Sequence, residues 1–147
     1  MAKLKWVLQA ILFSLLRRAF RRSPMYDECL KKAKREVKVK GKTKDNIRRV
    51  KYECAECGAL CQNTKKKKEF AVDHRETVIP LEGLPIVDGV VDFNVYIKRL
   101  FCSADNLQIL CKICHDRKSK AENTERKRLK DERNPEKPIT KRKRRVK

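Results

Sequence analysis

The sequence lacks an apolar run long enough to cross a membrane. Residues 6–16 are rich in apolar side chains, but Gln9 and Ser14 interrupt them and Arg17 and Arg18 follow at once, whereas a spanning helix needs about 20 mostly apolar residues. No small-residue cleavage site follows this stretch, which disfavours a secretory signal. We therefore expect a cytoplasmic protein that is not integral to a membrane.

Histidine and aromatic residues are also scarce. Only 6% of the 147 residues are aromatic, and the two histidines are His74 and His115. If the folded core is limited to the 74 residues 50–123, burial of apolar surface alone stabilises it only marginally. His74 follows Asp73 at the end of a predicted strand over residues 70–72, and His115 follows a cysteine. A lone histidine packs in a core more often than it catalyses, so each histidine needs further support.

Acidic residues are too few to balance the basic ones. The chain has 40 Lys and Arg against 19 Asp and Glu, a formal net charge of +21. Residues 1–49 hold 16 basic and 4 acidic side chains, residues 50–123 hold 12 and 11, and residues 124–147 hold 12 and 4. This division predicts a near-neutral folded unit at 50–123 between a basic N-terminal arm and a basic C-terminal extension. A strongly basic protein of this kind favours a polyanionic partner such as nucleic acid.

Two helices are predicted in the N-terminal arm. Apolar residues recur at spacings of three and four from Leu4 to Ala19, which indicates an amphipathic helix that ends before Ser23-Pro24. A weaker pattern predicts a second helix over about 26–37. The first helix is expected to pack on the core, on a second copy of itself or on a partner protein. A basic amphipathic helix lying on a membrane surface is the less favoured alternative.

The rest of the chain divides by turn residues and charge. Residues 41–46 are predicted to be a polar linker, 84–92 a loop, 95–101 a helix and 114–128 a second helix. From Asn134 onward the chain is predicted to be a disordered basic tail with no capacity for a core.

Four of the seven cysteines form two Cys-x-x-Cys pairs, Cys54–Cys57 and Cys111–Cys114. Two such pairs are typical of a tetrahedral structural Zn²⁺ site with four thiolate ligands. The 53 residues between the pairs exceed the usual zinc-finger spacing, so the ion would join the two ends of an inserted unit. A structural zinc would compensate for the small core.

The cysteines also allow alternatives. Cys111 to His115 fits the Cys-x-x-Cys-His pattern of c-type haem attachment, but haem explains neither the first pair nor the basic arms. Cys61 is close enough in sequence to replace one zinc ligand. Cys29 and Cys102 are interpreted as small apolar residues.

Taken together, these motifs resemble the HNH nuclease family, particularly its small zinc-stapled members common in bacteriophages. The resemblance covers Tyr52 to Asn123, about half of the chain. It rests on Tyr-Glu-Cys54-Ala-Glu-Cys57, Val72-Asp73-His74, Asn106-Leu-Gln-Ile-Leu-Cys111 and Cys114-His115-Asp-Arg-Lys118-Ser119-Lys-Ala-Glu122. It implies an α+β fold: a small ββα-metal core, here with a four-cysteine zinc site, a helical N-terminal arm and a disordered tail.

The resemblance also implies roles for residues. His74 would be the general base that activates water, while Asp73 and His115 would bind one catalytic divalent cation, Mg²⁺, Mn²⁺ or another. Asn106 would hold the loop after His74 by hydrogen bonds. Lys118 would contact a phosphate, with a solvated helix face as the equally weighted alternative.

The sequence departs from many family members in two places. Arg75-Glu76 follows His74 where a hydrophobic residue is common, and Arg75 is a candidate nucleic-acid contact. The 31 residues between His74 and Asn106 form a long insertion, which puts the length of the hairpin in doubt. In the tail, the run Lys141, Arg142, Lys143, Arg144 and Arg145 is a further candidate for binding phosphates.

The sequence thus favours a metal-dependent, phage-type HNH endonuclease that hydrolyses DNA phosphodiester bonds in the host cytoplasm. Double-stranded DNA is the expected substrate, and RNA stays open as an alternative. The competing hypotheses are a non-catalytic zinc-stapled nucleic-acid-binding module and an accessory protein of phage packaging.

Overall fold

The computed structural model describes residues 2–40, 46–64 and 67–134, and these residues form a mixed α+β fold. The elements, in chain order, are α1 (Ala2–Phe20), α2 (Pro24–Ala33), β1 (Lys34–Lys40), β2 (Asn46–Glu53), β3 (Leu60–Cys61), β4 (Phe70–His74), β5 (Ile86–Val87), β6 (Val90–Val91), α3 (Phe93–Leu100), a 3₁₀ turn (Ala104–Asn106), β7 (Leu107–Cys111) and α4 (Lys112–Arg133).

The centre of the molecule is an antiparallel pair of strands followed directly by a helix. β4 pairs with β7 over all five residues, with Phe70 opposite Cys111 and His74 opposite Leu107. α4 begins at the residue after β7, so the paired strands β4 and β7 and the helix α4 follow one another in the order strand, strand, helix, with the insertion between the two strands. Ile109 and Leu110 of β7 are almost fully buried. The prediction of a strand at 70–72 is confirmed, and the long insertion leaves the pairing of β4 with β7 intact.

The second predicted helix is shorter than the sequence pattern indicated. α2 ends at Ala33, and the chain continues as β1, so the prediction of helix to Val37 is wrong. In β1, Val37 and Val39 alternate with charged residues, a period of two that suits a strand, and β2 supplies the hydrogen-bonding partner. The boundary expected between the N-terminal arm (1–49) and the folded unit (50–123) falls inside β2. Residues 41–45 of the predicted linker lie outside the described part of the chain.

Helix α1 is present as predicted, and it packs through one flank of its predicted apolar face. Phe13, Leu16 and Phe20 contact the core, and the Phe13 ring meets that of Tyr96 of α3 at 4.7 Å. Aromatic side chains bury more apolar area than aliphatic ones, which explains why this flank faces inward. Most of the predicted aliphatic face stays exposed, namely Val7, Leu8, Ile11, Leu12 and Leu15. Among the described residues, no helix has the length and apolar content needed to span a bilayer.

The insertion between β4 and β7 is folded. β5 and β6 form a hairpin within the predicted loop, with positive φ at Asp88 and Gly89 in its two-residue turn, as this tight hairpin type requires. The Asp92 side chain then caps α3 by accepting a hydrogen bond of 2.9 Å from the Asn94 amide. Tyr96 of α3 is completely buried, so the insertion contributes to the main core.

Candidate functional site

The four cysteines of the two pairs converge at one point, and we call them the four-cysteine cluster. The sulfur atoms of Cys54, Cys57, Cys111 and Cys114 all lie within 4.8 Å of one another, and Cys57 Sγ is 3.8 Å from Cys111 Sγ. In a tetrahedron with Zn–S bonds of about 2.3 Å, two sulfurs are about 3.8 Å apart. The donor set and its spacing therefore fit one structural Zn²⁺.

Backbone amides support the sulfurs of the four-cysteine cluster. The Cys111 amide donates to Cys54 Sγ at 3.3 Å, and the Cys114 amide donates to Cys111 Sγ at 3.5 Å, where Cys111 also caps the start of α4. Burial opposes ionisation of Cys54, but amide donors outweigh it and lower the pKa of Cys54 to about 6. Burial, together with bonds to neighbouring thiols, raises the pKa of Cys114. A cation bound by the cluster would favour ionisation of its thiols.

The other cysteines lie outside this cluster. Cys61, considered as a replacement ligand, is buried on β3, where its thiol donates to the Ala59 carbonyl at 3.7 Å. Cys29 is buried in the main core, and Cys102 packs against it. Both therefore behave as small apolar residues.

A second group of polar side chains lies at the end of β4 and on the first turns of α4. Lys118 Nζ is 2.5 Å from Asp73 Oδ2 and 3.4 Å from Glu122 Oε1, and it also donates to the His74 carbonyl. Gln108 lies opposite Asp73 on β7, and its side-chain Nε2 donates a hydrogen bond of 3.1 Å to Asp73 Oδ2. The side chains of Lys118, Asp73 and Glu122 are all partly buried, so a positive charge is held by two carboxylates.

His74 is positioned by contacts on two sides. The residue is only 8% exposed, its ring lies 4.9 Å from the Phe20 ring, and its Nε2 is 3.0 Å from the Leu100 carbonyl oxygen. Because a carbonyl only accepts, Nε2 carries the proton of the neutral ring and Nδ1 carries the lone pair. Burial lowers the pKa of His74, opposed by the bond to Leu100 and by Asp73 and assisted by the Lys118 charge. The imidazole is therefore neutral near pH 7.

Asn106 fixes the backbone that follows His74. Its Oδ1 accepts a hydrogen bond of 3.0 Å from the Glu76 amide, and its carbonyl accepts one of 2.7 Å from the Arg75 amide. These bonds connect the two ends of the insertion next to the Asp73–His74 pair.

Asp73 and His74 line one open cleft, which we call the acid–histidine cleft. Its other lining residues are Arg17, Thr77, Val78, Ile79, Lys118, Glu122 and Arg126. The sequence motif placed Lys118 here as a phosphate contact, but in the structure Lys118 pairs with Asp73. Sequence reasoning missed Glu122 and Arg126 as site residues, although their spacing of four and eight from Lys118 puts them on the same helix face.

His115 is placed apart from this cleft's lining. It is half-buried in the first turn of α4, and its Nδ1 lies 3.8 Å from Asp116 Oδ1. In the described part of the chain, the four-cysteine cluster is the one group of three or more His, Cys, Asp or Glu side chains whose ligand atoms converge. Asp73, His74 and His115 therefore do not form such a group in this structure.

The remaining candidate residues lie elsewhere. Arg75 lines a separate cleft beside Cys29, Lys32, Arg35, Glu53, Asp105 and Gln108, which we call the basic cleft because it holds three cations and two carboxylates. Lys32 is paired there with Asp105, and Arg35 with Glu53. Residues 141–145 lie outside the described part of the chain. No protein-family description, curated protein or solved structure matches this chain.

Proposed function

We propose that this protein is an HNH-type endonuclease that hydrolyses DNA phosphodiester bonds with a divalent cation. The observation that carries the proposal is the placement of Asp73 and His74 in one cleft, at the end of a strand pair whose following helix starts at the four-cysteine cluster. The order of strand, strand and helix supports the same proposal. A net charge of +21 suits a polyanionic substrate.

His74 is the general base in this proposal. With Nε2–H engaged by the Leu100 carbonyl, Nδ1 takes the proton from the water that attacks phosphorus. The bond from phosphorus to the 3′ oxygen then breaks, and this oxygen takes a proton from solvent, which leaves a 5′-phosphate and a 3′-hydroxyl. The contact with Phe20 and the bonds of Asn106 to the backbone of residues 75 and 76 hold the ring and its loop in place.

Asp73 would hold the divalent cation, with Glu122 as a second carboxylate facing the same point. The fit is supported by Lys118, whose ammonium group already lies between these two carboxylates. When bound, Mg²⁺ or Mn²⁺ would supply charge that polarises the phosphoryl oxygen and stabilises the leaving oxygen. Lys118 moves from Asp73 toward a substrate phosphate in this proposal. The family resemblance also assigns His115, one turn before Lys118, as a ligand, but His115 does not line this cleft, so Asp73 and Glu122 carry the proposal.

Supercoiled plasmid incubated with the zinc-loaded protein tests this proposal. Addition of Mg²⁺ or Mn²⁺ should convert the plasmid to nicked or linear forms, and His74→Gln should not. Plasmid binding without cleavage under every metal would overturn the proposal and favour a non-catalytic zinc-stapled binding module. Parallel incubation with structured RNA decides between the two nucleic acids.

A further inference from the structure

The β1–β2 ribbon, formed by Lys34–Lys40 and Asn46–Glu53, is strongly basic. These two strands hold seven basic and two acidic residues. One of the two acidic residues, Glu53, pairs with Arg35 at 2.8 Å. The helix predicted over about 26–37 overlaps the first part of this segment, so no ribbon is predicted there from the sequence.

One face of the ribbon presents basic side chains on the side away from the core. Arg35 is opposite Lys51, and Val37 is opposite Arg49, so these four side chains share a face. The other face at the base of the ribbon carries Tyr52, whose ring packs 4.8 Å from the Phe70 ring. Arg35, Arg49 and Lys51 therefore lie on the side opposite this core contact.

The outer part of the ribbon has two strands only, within the described residues. β3 pairs with Tyr52 and Glu53 at the base and no further. Beyond them Val50 is 43% exposed, and Lys38 and Arg49 are exposed as well. The outer part of the ribbon therefore contributes little to the core, and its exposed basic side chains are accessible to a ligand.

The base of the ribbon opens on the basic cleft. Arg35 lines this cleft, of about 410 Å³, together with Arg75 and Gln108. Arg75 directly follows His74, and Gln108 donates to Asp73 at 3.1 Å. A polyanion held by the ribbon would therefore pass Arg75 and the ion-paired Arg35 on its way toward the Asp73–His74 pair.

The dimensions of the ribbon suit one groove of one nucleic acid. Strands about 4.8 Å apart, with side chains on both edges, fit the B-DNA major groove of about 12 Å, and seven residues extend about 23 Å along it. The major groove of an RNA duplex is deep and narrow, and side chains do not enter it.

We propose that the β1–β2 ribbon binds in the major groove of double-stranded DNA and directs the duplex toward the acid–histidine cleft. This inference rests on the proposed function, because it takes DNA to be the substrate. It adds to the proposed function that the β1–β2 ribbon is the element that selects a B-form duplex.

The test measures binding rather than cleavage. Full-length, zinc-loaded protein without added Mg²⁺ is titrated into a fluorescent DNA duplex and into an RNA duplex of the same sequence, with anisotropy as readout. The ribbon variant Lys38→Gln/Arg49→Gln/Lys51→Gln is compared with the control variant Lys120→Gln/Lys127→Gln/Lys130→Gln, which removes the same charge from exposed positions on α4.

The wild type should bind the DNA duplex at least about tenfold more tightly than the RNA duplex. The ribbon variant should lose this preference. The magnitude of its slope of log affinity against log salt should decrease by about 2.7, at about 0.9 for each phosphate contact. The control variant should weaken both complexes equally and keep the preference. If the ribbon variant loses zinc, the exposed single substitutions Lys38→Gln and Arg49→Gln take its place. Each should reduce the magnitude of the salt slope by about 0.9.

Equal behaviour of the ribbon and control variants would overturn the inference, as would equal affinity of the wild type for both duplexes. A protein that shows the ribbon-dependent preference for DNA but cleaves no plasmid with any metal would overturn the proposed function alone.

Discussion

Nε2 of His74 donates a hydrogen bond of 3.0 Å to the carbonyl oxygen of Leu100, the last residue of α3. The contact joins the end of β4 to a helix within the 31-residue insertion. Since α3 is held in the core by the fully buried Tyr96, the insertion determines both the position and the tautomer of the candidate base. The insertion is thus part of the candidate site.

This contact determines which substitution separates catalysis from folding. His74→Ala would leave a cavity beside Phe20 and a carbonyl without its donor. His74→Gln keeps a donor for Leu100 but supplies no base. We expect its cleavage rate to fall by at least ~10²-fold, with circular dichroism, zinc content and DNA affinity near those of the wild type. Cleavage at the wild-type rate would exclude His74 as the base.

The lowered pKa of His74 predicts the pH dependence of cleavage. The neutral ring is the active form, so the rate rises with pH through the folded-state pKa and stays flat above it. Burial places that pKa below the ordinary value of about 6.5. We expect kcat/KM to begin to fall only below about pH 6.5. An acid limb centred above that value would contradict the assignment.

The same shift has a consequence for stability. The unfolded chain binds a proton at residue 74 more readily than the folded chain, so the free energy of unfolding decreases as the pH falls through and below about 6.5. Thermal unfolding of the wild type and of His74→Gln, compared across pH, measures this contribution as the difference between their slopes.

Part of this molecule could be predicted from sequence because its signals are local. The spacing of the Cys54 and Cys111 pairs indicated a four-ligand cluster, and the three-and-four spacing in α1 indicated a helix. Each Cys-x-x-Cys pair and the helical spacing are local patterns, and the matching chemistry of the two pairs indicated their convergence across the 53 residues between them.

Other features depend on contacts between distant residues, which no local pattern contains. β1 forms because β2 pairs with it, although residues 34–37 continue a helical pattern. The side of α1 that faces the core is set by the contact of Phe13 with Tyr96, which lies 83 positions later in the sequence. The pairing of Lys118 with Asp73 likewise needs α4 to pack on β4.

The four-cysteine cluster predicts dependence of the fold on zinc. Elemental analysis should find about one zinc per chain. Cys54→Ser should lose the metal and the cooperative melting transition, because a structural zinc contributes folding free energy directly. Cys102→Ser, outside the cluster, should keep both. Covalent haem, or cooperative melting of a metal-free protein, would rule out this role.

The contacts of Lys118 predict a link between its charge and the divalent cation. In Lys118→Met the Asp73 and Glu122 carboxylates lose the ammonium group they share, at a cost of about 1–2 kcal/mol, or roughly 3–6 °C in Tm. Mg²⁺ or Mn²⁺ should then raise the Tm of this variant more than that of the wild type. Lys120→Met, exposed on the same helix, is the control. Equal metal-induced shifts in all three proteins would argue against a cation site at Asp73.

The basic tail predicts sequence-independent binding to phosphates. Residues 135–147 hold seven basic and one acidic side chain, including the run from Lys141 to Arg145. A chain that ends at Asn134 keeps Asp73, His74 and the four-cysteine cluster, so zinc content and turnover at saturating DNA should be close to those of the full chain. If the tail contacts about four phosphates, its removal should reduce the magnitude of the slope of log affinity against log salt by about 3.6.

The affinity difference between the truncated and full-length proteins should then be large at low salt and narrow as salt rises, because released counterions drive the tail's contribution. A tail that serves only as a localisation signal or protein-docking segment predicts parallel salt dependences instead. The ribbon variant combined with the truncation separates the two elements further. Since ribbon and tail would contact different phosphates, their effects on the slope should add, whereas only the ribbon substitutions should abolish the preference for the DNA duplex over the RNA duplex.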